Sequence, residues 1–143
     1  MGYSDKLVAK IKDEYRDSVK FEESLKVAPE LIVKFFKELE CSISKEIEAS
    51  NEQISFEYGD IPEKASFQYT IAKLTIIYEN TNSILFFKKS PSKIYVIIND
   101  NFHQPYDIID TGNDFCVYSK EYGKFDISVL DKYLELTFNE ITV

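Results

Sequence analysis

The spacing of the apolar residues changes once along this chain, and that change restricts the possible folds more than any other feature. Up to about residue 50, apolar side chains recur every three or four residues, which is the spacing of one helix face. From Gln53 onward they recur every second residue, which is the spacing of one face of a strand. A helical part followed by a run of strands is typical of an α+β domain.

The helical part is predicted to form two N-terminal helices. Ser4 is a suitable N-cap for the first, and the apolar stripe blurs over residues 20–26, so the helix ends or bends there. Pro29 fits the first turn of a second helix, because that turn does not need the missing N–H. The short loop favours an antiparallel pair over one broken long helix. The first stripe consists of Leu7, Ile11, Tyr15 and Val19.

Five or six strands are predicted after residue 53, joined by short turns that imply a mainly antiparallel sheet. A change of phase at residues 72–73 indicates a β-bulge or two successive strands. Residues 93–99 are apolar on both faces, which is typical of a central strand covered on both sides. Pro105 weakens a further strand over residues 102–109 and places it at an edge.

The C-terminal segment fits a helix from Asp126 to about Leu136, with Asp126 as its N-cap. The alternation of Leu134, Leu136 and Phe138 with polar residues is a strand signal, and we favour the helix. The whole chain of 143 residues has the length of one domain.

Cysteine content and hydropathy predict a compartment. Cys41 and Cys116 are too few for a disulfide framework and lack metal-site spacing, so we interpret both as buried thiols in a reducing environment. No apolar run has the length of a signal peptide or a transmembrane helix. We therefore expect a cytoplasmic protein that does not contact a membrane.

The net charge of −8 is distributed unevenly along the chain. Residues 1–60 and 100–143 carry net charges of −5 and −6, whereas residues 61–99 carry +3. Arg16 is the only arginine and the lysines form no long basic cluster, so nucleic-acid binding is not expected. An acidic surface suits a protein partner with a basic surface.

One acidic segment contains the only histidine. An imidazole that titrates near neutral pH, surrounded by carboxylates, is suited to acid–base chemistry or to binding Mg²⁺, Mn²⁺ or Ca²⁺. The alternative is that these aspartates stabilise turns through their own backbone, and we prefer it. The candidate ligand or metal residues are Asp100, His103, Asp107, Asp110 and Asp114.

The sequence shows no catalytic motif. No glycine-rich phosphate loop and no nucleophile motif is present. Cys116 and His103 could meet across a hairpin, but a strand cysteine between apolar neighbours is typical of a small buried side chain. We predict no catalytic residues and no cofactor; enzymatic activity stays open, with a non-enzyme favoured.

Tyrosines and lysines of the strand region form a candidate partner surface. Tyrosine is enriched in protein interfaces, and clustered lysines suit an anion or an acidic partner. The alternatives are that the tyrosines belong to the core and that the lysines protect apolar strands from edge pairing. The residues are Tyr58, Tyr69, Tyr78, Tyr95, Lys88, Lys89 and Lys93.

These observations support three functional hypotheses. The first is a non-catalytic protein-binding module that covers a partner, of the inhibitor, immunity-protein, antitoxin or chaperone type. The Lys, Ile and Asn content fits a bacterial or phage genome. The second is a small-molecule binder, or an enzyme without a known motif, with an aromatic pocket between sheet and helices. The third is self-association as a homodimer.

Overall fold

The computed structural model describes residues 2–60, 68–110 and 115–142. They form an α+β fold with helices at both ends and an antiparallel sheet between them. The helices are α1 Tyr3–Ser42, α2 Ser44–Ala49 and α3 Ile127–Thr142. The strands are β1 Ile54–Tyr58, β2 Tyr69–Tyr78, β3 Thr81–Lys89, β4 Lys93–Ile98, β5 Asn101–Phe102, β6 Tyr106–Asp110, β7 Phe115–Ser119 and β8 Gly123–Lys124.

Helix α1 continues through the predicted break. Pro29 lies inside a single helix of 40 residues, so the antiparallel pair predicted from the sequence does not form, and the boundary with α2 lies at Ile43. A proline inside a helix costs about 3 kcal/mol. That cost is offset by burial on both sides of the proline, because Ala28, Ile32 and Phe36 are all buried in the core.

The two ends of α1 have different surroundings. Residues 3–19 are all exposed, and we call them the projecting segment. Residues 28–42, the packed segment, contain the buried side chains of the helix. Contacts of α1 with β1, β2 and β7 therefore come from the part of the helix beyond the projecting segment.

The sheet has the order β1-β2-β3-β4-β6-β7-β8, and β5 pairs with β4. Of the two alternatives predicted at residues 72–73, the bulge fits better than two successive strands, because β2 is continuous and its register with β3 shifts just before that position, between Thr70 and Ala72. Positive φ angles at both central residues allow the two-residue turns of hairpins, as at Glu79–Asn80 and Asn99–Asp100. The sheet has eight strands instead of five or six, because β5 and β8 have only two residues each.

Both long helices cover the same face of the sheet. The ring of Phe87 on β3 lies 5.7 Å from that of Phe36 on α1 and 5.9 Å from that of Tyr133 on α3. Helix α3 is the predicted C-terminal helix, extended to Thr142, and the Asp126 carboxylate accepts hydrogen bonds from the backbone N–H groups of Ser128 and Val129. The prediction that β4 is covered on both sides was wrong, because both helices pack on one side.

Candidate functional site

The other face of the sheet, which we call the open face, carries an apolar patch. In the strand register Phe86 lies opposite Ile97, and Ile97 lies opposite Phe102, so the three side chains form one row across β3, β4 and β5. Tyr95 adds to the row through an edge-to-face contact with Phe102, at 6.1 Å between ring centroids. Phe102 is 69% exposed, so the patch is accessible at its β5 end.

Lysines surround this patch. Lys88 lies opposite Tyr95 in the register, and the Lys73 ammonium lies 5.7 Å from the centre of the Phe86 ring. Lys93 forms an ion pair of 3.2 Å with Asp107, while Lys73 lies 3.8 Å from a carboxylate oxygen of Glu57. Exposed pairs of this kind contribute little to stability, and the lysines therefore remain available to a partner.

The structure separates the predicted partner-surface residues into groups. Tyr95, Lys88 and Lys93 lie together on the open face. Tyr58 and Tyr69 belong to the covered face, and Tyr78 lies exposed at the end of β2. Lys89 is fully buried.

Buried Lys89 closes the turn between β3 and β4. Its ammonium donates hydrogen bonds to the backbone carbonyls of Ser90 and, at 3.2 Å, of Pro91. Burial lowers the pKa of Lys89, and the nearby Glu22 carboxylate opposes that effect. The side chain thus stabilises the turn, and it is not accessible to a partner.

The two covered tyrosines differ in their hydrogen bonds. The Tyr58 hydroxyl donates to Glu40 at 2.9 Å, and burial, with this bond and the carboxylate charge, raises the pKa of Tyr58. The Tyr69 hydroxyl has no hydrogen-bond partner among the described residues. Burial, together with the charge of Glu30, raises the pKa of Tyr69 to about 12.

The structure does not bring the described members of the Asp–His segment together. Asp100 lies in the exposed β4–β5 turn, and Asp107 pairs with Lys93 on the open face. His103 contacts the ring of Tyr133 at 6.4 Å, which places it on the covered face. Asp114 and the side chain of Asp110 lie outside the described residues. Within the described ranges, no group of three His, Cys, Asp or Glu side chains could hold a metal ion.

Both cysteines were predicted to be buried thiols. Cys41 is exposed, contrary to the expectation of a buried thiol. It lies five residues beyond Phe36, which is more than a third of a turn around the helix and away from the core. The side chain of Cys116 lies outside the described residues.

An apolar groove of about 390 Å³ lies between the C-terminal end of α1, β2 and α3. Its polar lining residues are Glu135, Asn139 and Thr142. The volume is within the range of small-molecule pockets. Its apolar walls are formed by Leu39, Ile43, Leu74, Ile76, Leu134, Phe138 and Ile141.

Sequence reasoning missed the aromatic centre of the open face. Phe86 and Ile97 lie in segments whose apolar residues point to both faces. That pattern was the available signal, but for residues 93–99 we assigned it to coverage on both sides, and we assigned the segment of Phe102 to an edge strand. Within the described part of the chain, only the position of the two long helices shows which of these faces carries no helix.

Comparison of the chain with models of known protein families, with curated proteins and with solved structures gives no significant match in any of the three. No helix in the described ranges is long and apolar enough to cross a membrane.

Proposed function

We propose that this protein is a non-catalytic binding module that covers an apolar surface of a protein partner with its open face. Such a partner would be the target of an inhibitor, an immunity protein, an antitoxin or a chaperone. The observation that supports the proposal is the row of Phe86, Ile97, Phe102 and Tyr95 on the face away from both helices. Contiguous exposed apolar patches on a folded domain are typical of interaction sites.

The patch has the composition of an interface centre. Phenylalanine and tyrosine are enriched in protein interfaces, and aromatic side chains often provide most of the binding free energy. Phe86, Tyr95 and Ile97 lie on β3 and β4 in the middle of the sheet, and Phe102 lies on β5, which pairs with β4. A rigid support reduces the entropy lost when a partner binds.

The lysines around the patch favour an acidic partner. Three lysines lie on the open face, namely Lys73, Lys88 and Lys93. In the ion pairs described for this face, the carboxylates come from Glu57 and Asp107. The net charge of the whole chain suggests a basic partner, but the charge beside the patch has the opposite sign. Local charge complementarity determines how two surfaces associate, so we expect an apolar surface flanked by Asp and Glu.

The test is affinity capture from a lysate of the source cells, with identification of retained proteins by mass spectrometry. We expect a retained protein that is lost with Phe102→Ser and with Lys88→Glu. Leu136→Ser is the matched control, because Leu136 is 48% exposed on α3, on a surface outside the open face. A photoreactive amino acid at position 102 should crosslink to an apolar segment of the partner flanked by acidic residues.

The salt dependence of partner binding distinguishes binding that uses the lysines from non-specific hydrophobic adsorption. Binding of the purified partner should weaken several-fold when ionic strength rises from about 0.05 to about 0.3 M, because salt screens the lysines. Retention that Phe102→Ser and Lys88→Glu leave unchanged would contradict the proposal, as would crosslinks to basic segments.

The apolar groove supports a second candidate, a site for a small apolar molecule. Its volume of about 390 Å³ and its apolar walls fit such a ligand. Native mass spectrometry distinguishes the two candidates. A mass excess that disappears on denaturation, and that Phe138→Ser removes, would favour the ligand site over partner binding.

A further inference from the structure

The projecting segment of α1 carries an apolar stripe that no other part of the described chain covers. Its members are each separated by four residues, and all are at least 46% exposed. An amphipathic helix normally buries its apolar stripe, and a helix of this length is marginal in water by itself. We therefore expect another surface to cover this stripe. Its members are Tyr3, Leu7, Ile11, Tyr15 and Val19.

The spacing of the stripe is symmetric about Ile11. Residues at intervals of four form a ridge inclined to the helix axis, and two such ridges face each other when helices cross at about 50°. The ridge from Tyr3 to Val19 is about 24 Å long. If two copies cross at Ile11 in opposite directions, Tyr3 of one meets Val19 of the other, and Leu7 meets Tyr15.

We infer that the occupant is a second copy of this chain, bound antiparallel through the projecting segment. The direction follows from the fold. Leu7 and Ile32 are 25 residues apart, which places them within about 20° around an ideal helix, and Ile32 is buried in the core. The stripe thus faces the same side of α1 as the sheet. In a parallel dimer, the sheets of the two copies would lie at the same end of the paired helices and would occupy the same space. In an antiparallel dimer, the two sheets lie at opposite ends of the paired helices.

Charge supports self-pairing. Residues 3–19 carry four basic and four acidic side chains, in a chain with a net charge of −8, so two projecting segments can approach each other without the repulsion that the net charge of the whole chain would cause.

The contact area sets the strength of this dimer. Two short ridges bury less surface than the roughly 1,200–2,000 Å² of a stable interface. We therefore expect a dimer that dissociates on dilution in the micromolar range. The open face lies away from this contact, so dimerisation and partner binding are independent and a dimer would present two open faces.

Sedimentation equilibrium of the full chain from about 1 to about 200 µM tests the association. We expect a concentration-dependent monomer–dimer equilibrium. Ile11→Asp should weaken it at least tenfold, because it places a charge at the centre of the contact. Ala9→Asp is the matched control, since Ala9 is exposed in the same segment but lies about half a turn from Ile11. Circular dichroism should show that both variants remain folded.

Cysteine crosslinking tests the direction. In a Cys41→Ser background, a mixture of the Leu7→Cys and Tyr15→Cys proteins should form a disulfide between the two chains. Leu7→Cys alone should crosslink far less. The background protein without an introduced cysteine is the control for Cys116.

Three results would overturn the inference. The wild-type chain could stay monomeric up to about 200 µM; Ala9→Asp could disrupt the dimer as strongly as Ile11→Asp; or Leu7→Cys could crosslink best with itself, which would show a parallel pair. If a monomeric wild type sediments with phosphatidylglycerol vesicles and Ile11→Asp does not, the occupant of the stripe is a membrane surface. None of these results affects partner binding at the open face, which is tested separately.

Discussion

The two ends of α1 show the same sequence pattern in opposite surroundings. Ile11 and Phe36 are 25 residues apart and lie within about 20° of each other around the helix. Phe36 has an exposure of 0%, whereas Ile11 has an exposure of 50%. The spacing of apolar residues identifies a face of a helix, but it does not identify what covers that face.

The sheet shows the same contrast between two neighbouring residues, Phe86 and Phe87. Phe87 is fully buried beneath α1 and α3, while Phe86 points to the open face beside Lys73. Two adjacent phenylalanines thus serve different purposes, one in the core and one in the proposed interface. The covered residues should determine stability and the uncovered ones association.

Truncating one side chain at each end of α1 tests this division with the largest expected effect. Phe36→Ala should lower the free energy of unfolding by about 3–5 kcal/mol, because it leaves a cavity among Phe56, Phe87 and the rest of the core. Ile11→Ala should change it by less than about 0.5 kcal/mol in dilute solution. Urea denaturation monitored by circular dichroism measures both. Equal losses would show that the projecting segment packs on the domain.

High pH should destabilise the covered face. Burial raises the pKa values of Tyr58, Tyr106 and Tyr133, and raises that of Tyr69 to about 12. The folded state therefore holds protons that the unfolded state releases above about pH 10, so stability is complete below that pH and falls as the pH rises toward 12. Absorbance at 295 nm should show these tyrosines ionising together with unfolding. Gradual ionisation without loss of helix would contradict their burial.

Deleting either of two buried hydroxyls should give the smallest effects, with a loss of stability at one position and no loss at the other. Tyr133 donates a buried hydrogen bond of 2.9 Å to Tyr106, so Tyr133→Phe should cost about 1 kcal/mol. Tyr69→Phe removes a buried hydroxyl without a described partner and should be neutral or slightly stabilising. Thermal unfolding of both variants measures the difference. A larger loss for Tyr69→Phe would indicate that its hydroxyl has a partner.

Local sequence signals were sufficient for much of the fold. The change of apolar spacing predicted helices before strands, the phase change predicted the β2 bulge, and Asp126 predicted the start of α3. The continuity of α1 through Pro29 was not predictable, because it depends on burial of Ala28, Ile32 and Phe36 against the sheet. That burial is a property of the tertiary structure.

The candidate site was less accessible to sequence reasoning. Tyr95, Lys88 and Lys93 were selected for residue type, and they lie together on the open face. Phe86 and Phe102 were missed, because which side of an apolar strand is open depends on where the helices pack. The stripe of Leu7 and Ile11 was recognised, but its exposure could not be inferred from spacing.

Hydrogen–deuterium exchange along α1 tests most directly whether a second copy covers the projecting segment. We would compare peptides from residues 3–19 and 28–42 at about 1 µM and about 200 µM protein, since exchange reports local opening. The packed segment should be protected equally at both concentrations. The projecting segment should exchange rapidly at the low concentration and at least tenfold more slowly at the high one. Exchange of residues 3–19 that is independent of concentration would contradict the dimer.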